Sequence, residues 1–220
     1  MKAKKYGKGY KTSPKKLVVL ISGTGSNMTS ILTACKNNRI NGKVVAVISS
    51  NAEAKGLVTA KSYGIDTYVF SKKEYGDARD TEMVKVINGY QPDFVILAGY
   101  LGIITKPLLE AYPMKIINIH PALLPKHGGK NYFGLNVHRA VIEAGDKKSG
   151  PTVHFVDEGT DTGPIINQQK VEVKKNDTPE ILQKRVLKAE HKLFVKTIRQ
   201  LCNGKTVARK IYHYYRRKRR

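Results

Sequence analysis

Three polar residues stand against apolar surroundings in a way that could do chemistry. In the run Lys115-Ile-Ile-Asn-Ile-His120, closed by Pro121, Asn118 and His120 lie two positions apart. On a strand, that spacing projects both side chains from one face. A carboxamide can donate a hydrogen bond to a developing oxyanion, and an imidazole can move a proton near neutral pH. The third residue is Asp161, in the loop Asp157-Glu158-Gly159-Thr160-Asp161-Thr162-Gly163-Pro164. A carboxylate set against an imidazole orients it and favours its protonated form. The loop lacks the alternating oxygens and closing Glu of a calcium-binding EF-hand. A structural reading stays open beside the catalytic one. In it, Asn118 and His120 cap the Pro/Gly-rich loop 121–134, and Asp161 is a turn residue.

A fourth feature is Gly23-Thr24-Gly25-Ser26-Asn27, placed where an apolar strand gives way to a helical pattern. Glycines let successive N–H groups converge, and a helix N-terminus adds partial positive charge, so the turn suits a phosphate. A dinucleotide fingerprint would need a third glycine where Met28 stands and an acid after Ser49-Ser50-Asn51, and a Walker loop would need Gly-Lys-Ser/Thr. Neither is present, so a single small phosphate ester fits better. A turn that needs glycine for steric reasons alone remains the plain alternative.

The elements that must position these residues alternate along the chain. Strands are expected at 17–22, 43–50, 66–70, 93–98 and 115–120, and helices at 27–38, 54–63, 77–87 and 106–111. Gly64 and Gly89 are placed to end two of the helices. Short connections and continuous apolar strands predict an α/β fold: an open, mostly parallel, Rossmann-like sheet with helices on both faces. In that arrangement the carboxyl ends of the strands, where Asn118 and His120 lie, are where ligands bind. The second half is less regular, with a helix at 136–144 and strands at 151–157 and 165–173. A long C-terminal helix is expected over 178–202, opened by Thr178-Pro179-Glu180 with an N-cap and a proline at N1.

The chain has 220 residues, 40% of them apolar, enough for one domain with a core. No run is long enough to span a bilayer, and no apolar stretch follows the basic N-terminus as a secretory signal would require. Cys35 and Cys202 are far apart and match no zinc or redox motif, so both are expected to be free thiols in a reducing, cytoplasmic setting. The formal charge of +23 is concentrated at the ends: seven lysines in residues 1–16, eight Lys/Arg in residues 205–220, and no acid in either. The expected organisation is therefore a basic tail over 1–16, a folded domain over 17–204 and a second basic tail over 205–220. The body is moderately basic, which suits an anionic small substrate.

In order and spacing, Leu17–Asn27 (LVVLISGTGSN), Leu97–Ile104 (LAGYLGII), Asn118–Pro125 (NIHPALLP) and Thr152–Pro164 (TVHFVDEGTDTGP) resemble the phosphoribosylglycinamide formyltransferase family. The similarity covers residues 16–204, and four motifs in register are more specific than any one. It implies that the amine of a phosphorylated glycinamide attacks the formyl carbon of 10-formyltetrahydrofolate, with no metal. It further implies that Asn118 stabilises the tetrahedral intermediate, His120 handles the proton and Asp161 tunes the histidine. Gly23, Thr24, Gly25, Ser26 and Asn27 match the substrate phosphate loop. On the resemblance alone, Glu190 holds the ribonucleotide. On the same basis Leu101, Gly102, Ile103, Ile104, Asp157, Glu158, Gly159, Thr160 and Asp161, with Asn118, contact the folate.

Many relatives carry a basic residue where Gly102 stands and an arginine near 75–79, and the loop 126–134 is longer than in some members. Arg79 is left out of the expected site. A formyltetrahydrofolate hydrolase or an initiator-tRNA formyltransferase would be expected to carry an additional domain. Nucleic-acid binding would be non-specific, through tails such as Arg209–Arg220 (RKIYHYYRRKRR). The expected partners are the two small substrates, no membrane, and at most a second copy of the chain, as monomer or homodimer.

Overall fold

The structure is a computed structural model that describes residues 13–204. The C-terminal tail and most of the N-terminal one lie outside the described residues. Five parallel strands make up one side of a seven-stranded sheet: β1 (Lys15–Ile21), β2 (Gly42–Ser49), β3 (Asp66–Val69), β4 (Phe94–Leu97) and β5 (Ile116–His120). Two antiparallel strands, β7 (Thr152–Phe155) and β8 (Ile165–Gln168), extend it beyond β5, giving the order β3-β2-β1-β4-β5-β7-β8. A small second sheet pairs β6 (Lys148–Ser149) with β9 (Val171–Glu172). The helices are α1 (Ser26–Lys36), α2 (Lys55–Ser62), α3 (Lys72–Tyr75), α4 (Arg79–Tyr90), α5 (Lys106–Ala111), α6 (Leu135–Glu143) and α7 (Pro179–Cys202). The expected α/β architecture with a long C-terminal helix is what the chain forms.

The continuous apolar strands follow from burial on both faces. In β1, Leu17, Val19 and Ile21 face a core shared with Met28 and Ile31 of α1 and with Phe194, Ile198 and Leu201 of α7. Val18 and Leu20 point the other way, onto Met83 and Ile87 of α4 and Leu108 of α5. After β1 the chain fills one side of the sheet with β2 and β3, then crosses to β4 and β5 on the other. The strand order reverses between β1 and β4, which makes their carboxyl ends the crevice where such sheets bind ligands.

Several expectations shift in detail. β1 begins at Lys15, inside the stretch read as tail, because Asp93 holds it there: its carboxylate takes the Lys15 ammonium and the Lys16 N–H, both at 2.8 Å. The helix expected at 77–87 is α4, which starts at Arg79 and runs to Tyr90, and a short helix that was not expected, α3, precedes it. Ser71 caps the short α3 by accepting the Glu74 N–H at 3.1 Å, and a 3-10 turn at Gly76–Ala78 leads into α4. α4 runs through Gly89, and Gln91, at φ 51°, takes the left-handed position expected of that glycine. The single strand expected at 165–173 is also divided: β8 pairs with β7, then Gln169 and Lys170 carry the chain across to pair β9 with β6. At α7 the cap forms as expected, with Thr178 Oγ1 accepting the Ile181 N–H at 3.4 Å and Pro179 at N1.

Phe194 is fully buried where α7 meets the sheet. Phe194→Ala is expected to lower stability by about 3–5 kcal/mol, and the exposed Lys196→Ala by under about 0.5 kcal/mol, as read from urea unfolding.

Candidate active site

β5 carries Asn118 and His120 to the carboxyl edge of the sheet, and its antiparallel neighbour β7 places His154 directly opposite Asn118. Asn118 Nδ2 lies 3.2 Å from His154 Nε2 and donates to Asp161 Oδ1 at 3.5 Å. Asp161 Oδ2 stands 3.3 Å from His120 Nδ1 and accepts the Gly129 N–H at 3.0 Å. Asp161 sits at φ 59°, a left-handed conformation that Asp tolerates better than most residues. The three residues that the sequence singled out are thus side by side, joined by two that it did not.

The loop after β5 folds back over them. The His127 carbonyl accepts a hydrogen bond from His120 Nε2 at 2.7 Å, which fixes a proton on that nitrogen. The loop is pinned in turn by Asp146, which takes Lys126 Nζ at 2.9 Å and His127 Nε2 at 2.8 Å. His120 is left only 4% exposed. Acceptors at both ring nitrogens favour the imidazolium, yet burial outweighs them. The His120 pKa lies below its ordinary value, with Asp161 and the His127 carbonyl opposing the shift and His154 and the His127 ring adding to it. The shift favours the neutral imidazole. For Asp161, burial alone would raise the pKa. The His154 hydrogen bond, the neighbouring His120 ring and the Gly129 N–H outweigh it and hold the carboxyl below the usual range.

A second cluster forms at the end of β1. Gly25, at φ 72°, opens α1, and a Cβ there would come within 2.9 Å of the Gly56 Cα, so the turn and the start of α2 pack backbone to backbone. Gly23 and Thr24 are exposed and Ser26 half-buried. Asn27 is buried and donates from Nδ2 to Glu190 Oε2 at 2.6 Å, bridging α1 and α7. Burial pushes the Glu190 carboxyl up, and the Asn27 hydrogen bond opposes it. Two residues expected at the ribonucleotide, 163 positions apart, are therefore in contact. The Asn27 Oδ1 atom is buried without a protein partner, a free acceptor beside the turn.

The segment after β4 lies between these clusters in the sheet. Ser22 joins it to β1 by accepting the Leu101 N–H at 2.8 Å, and the Ser22 and Ser50 hydroxyls lie 2.6 Å apart. Leu101 and Ile103 are 65% and 74% exposed, while Gly102 and Ile104 are half-buried. In the loop after β7, Asp157 accepts the Gly159 N–H at 3.2 Å and the Thr162 hydroxyl at 2.6 Å, so it shapes the loop, while Glu158, Gly159 and Thr160 face outward. Among the described residues, no group of three or more His, Cys, Asp or Glu could hold a metal ion, and no helix is long and apolar enough to cross a membrane.

Comparison with known proteins adds a frame to this geometry. The sequence profile described as Formyl transferase matches residues 15–198. The chain belongs to the formyl transferase family. A chloroplastic phosphoribosylglycinamide formyltransferase of Arabidopsis thaliana is 46% identical over 199 residues, covering 89% of this chain and 68% of that one. The phosphoribosylglycinamide formyltransferase of Escherichia coli strain K12 is 41% identical over 191 residues, covering 86% and 88%. The crystal structure of glycinamide ribonucleotide transformylase 1 from Symbiobacterium toebii superposes with a TM-score of 0.83 at 38% identity, covering 92% and 94%. The chain spans about two thirds of the plant relatives' length, 68% and 64% in two of them. In this formyl transferase, sequence reasoning missed His154, whose only signal was a polar residue within a buried strand, and the backbone contributions of His127 and Gly129, which leave none.

Because the Asp161 charge raises the His120 pKa, Asp161→Asn is expected to lower it further. Imidazole NMR resonances of the folded variant should then titrate at lower pH than in wild type. An upward or absent shift would contradict the pairing.

Proposed function

We propose that this formyl transferase moves the formyl group of 10-formyltetrahydrofolate to the amine of 5-phosphoribosylglycinamide, giving the N-formyl product and tetrahydrofolate in purine (IMP) synthesis. The observation that carries the reading is the set of buried His120 with half-buried Asn118 and Asp161, linked at 3.3 and 3.5 Å. It stands on the same sheet edge as a helix N-terminal turn suited to a phosphate.

The roles follow from the chemistry of each group. The substrate amine forms a bond to the formyl carbon, and charge develops on the formyl oxygen. The Asn118 amide donates to that oxygen. His120, neutral and buried, takes a proton from the amine, and Asp161 stabilises the imidazolium that results. When the bond from carbon to the folate N10 breaks, the proton passes to N10, so atoms and charge balance. For Nε2 to act as the base, the His127 carbonyl that now holds it must give way and the ring's one proton must stand on Nδ1 instead, donated to Asp161 Oδ2. The turn Gly23–Asn27 receives the phosphate, and Glu190 with Asn27 faces the ribonucleotide. Leu101–Ile104 and Asp157–Asp161 enclose the pterin. The exposed apolar side chains of Leu101 and Ile103, on a segment anchored from beneath, suit a flat ring.

The reading includes a cytoplasmic location, which two free cysteines suit, although the plant relatives are named as chloroplastic. It also includes a monomer or homodimer that acts on small molecules alone.

A transfer assay tests it. Purified chain with both substrates should release tetrahydrofolate only when the ribonucleotide is present. Asn118→Ala is expected to reduce turnover about 10²–10³-fold, and His120→Ala about 10²–10⁴-fold. Release without the ribonucleotide would make the protein a hydrolase. No release from folded protein would overturn the proposal.

A further inference from the structure

We infer that the buried Arg79–Asp80 pair is a positioning device that shapes the Tyr100–Thr105 segment and so sets affinity for the folate cosubstrate without touching it. The inference rests on the proposed formyl transfer for the identity of the ligand.

Arg79 and Asp80 begin α4, and they are 7% and 1% exposed. Taking both charges out of water is costly unless each finds full partners. Arg79 Nε and Nη2 each reach Asp80 Oδ1 at 2.8 Å, and Nη2 also donates to the Ile103 carbonyl. The second carboxylate oxygen of Asp80 accepts the Thr105 N–H at 2.6 Å and the Thr105 hydroxyl at 2.8 Å. The pair therefore grips the segment at two backbone groups, one residue apart on either side of Ile104.

The segment between β4 and α5 has no ladder of its own, so its shape comes from such contacts. Its middle is set by Tyr100, whose buried ring lies 5.9 Å from the Arg79 guanidinium, close enough for a cation–π contact. A Cβ on Gly102 would meet that ring at 2.7 Å. In this backbone a side chain at 102 would press into the ring that Arg79 backs. With ring and pair in place, the backbone cannot settle inward, and Leu101 and Ile103 are held out in solvent. Two exposed apolar side chains on a segment so firmly supported from below make a platform, and the same support is what a flat ligand needs to find it ready-made.

Two variants separate positioning from plain stability. Arg79→Lys keeps the charge but loses the planar fork. The double variant Arg79→Met/Asp80→Asn removes both charges, leaving no lone buried ion. Calorimetry with tetrahydrofolate and steady-state kinetics are run on the full chain, with thermal melts to confirm folding. The expected result in both is about tenfold weaker tetrahydrofolate binding and a matching rise in KM for the formyl folate, while kcat and KM for the ribonucleotide stay within about twofold. Unchanged tetrahydrofolate affinity in a folded variant would overturn the inference. So would an equal loss for both substrates, or loss of the fold in both variants, since either marks a structural role alone. Wild-type protein that binds tetrahydrofolate without transferring formyl would sink the proposed reaction, while the ratio of variant to wild-type affinity still decides this inference.

Discussion

The site depends on a change of strand direction. β1, β4 and β5 are parallel, but β7 runs against β5, and that seam brings His154 across from Asn118 and returns the chain as the Asp161 loop. Had β7 continued the parallel pattern, its carboxyl end would have opened on the same edge only after another crossover. The antiparallel pairing instead sends the chain out of β7 at the amino end of β5, and the loop 157–164 must travel back along the sheet. Asp161 ends that return in a left-handed conformation, its carboxylate turned onto both histidines.

Burying such a cluster is expensive unless its hydrogen bonds are made. Here the chain supplies backbone groups as well as side chains: the His127 carbonyl for His120, the Phe155 carbonyl for His154 Nδ1 at 2.8 Å, and the Gly129 N–H for Asp161. The result is a histidine pulled in two directions, towards neutrality by burial and towards protonation by its acceptors. A proton carrier works best when neither state dominates overwhelmingly, because the proton must both arrive and leave. Fixed acceptors at both nitrogens also orient the ring.

Much of this was legible in the sequence because the signals were local. Apolar runs of strand length, a Pro-led helix with a Thr cap and glycines at turns predict the order of elements and the edge on which Asn118 and His120 emerge. What was not legible depends on register or on distant partners. The step from β8 to β9 is invisible in a run of alternating residues, since pairing partners lie elsewhere in the chain. The four-residue α3 starts on a Ser71 cap and is too short to show an apolar period of its own. Asn27 and Glu190 carry no local mark of their contact, and Glu190 entered the expected site only through family resemblance. His127 contributes a carbonyl, which every residue has.

The Arg79–Asp80 pair shows why a departure in sequence need not leave a gap in the structure. Taken singly, Gly102 looks like a lost contact and Arg79 like a residue out of place. In three dimensions one accounts for the other: a side chain at 102 would strike the Tyr100 ring, and that ring is backed by the guanidinium. A basic group still stands in this region, but beneath the segment, where it is spent on a carboxylate and a carbonyl. A basic side chain at position 102 would be tethered to the segment itself, and its charge would share that segment's exposure to water. From beneath, the same charge is anchored in a helix and acts through the backbone. Where a segment is held from beneath, specificity for a ring system can be set by shape as well as by charge.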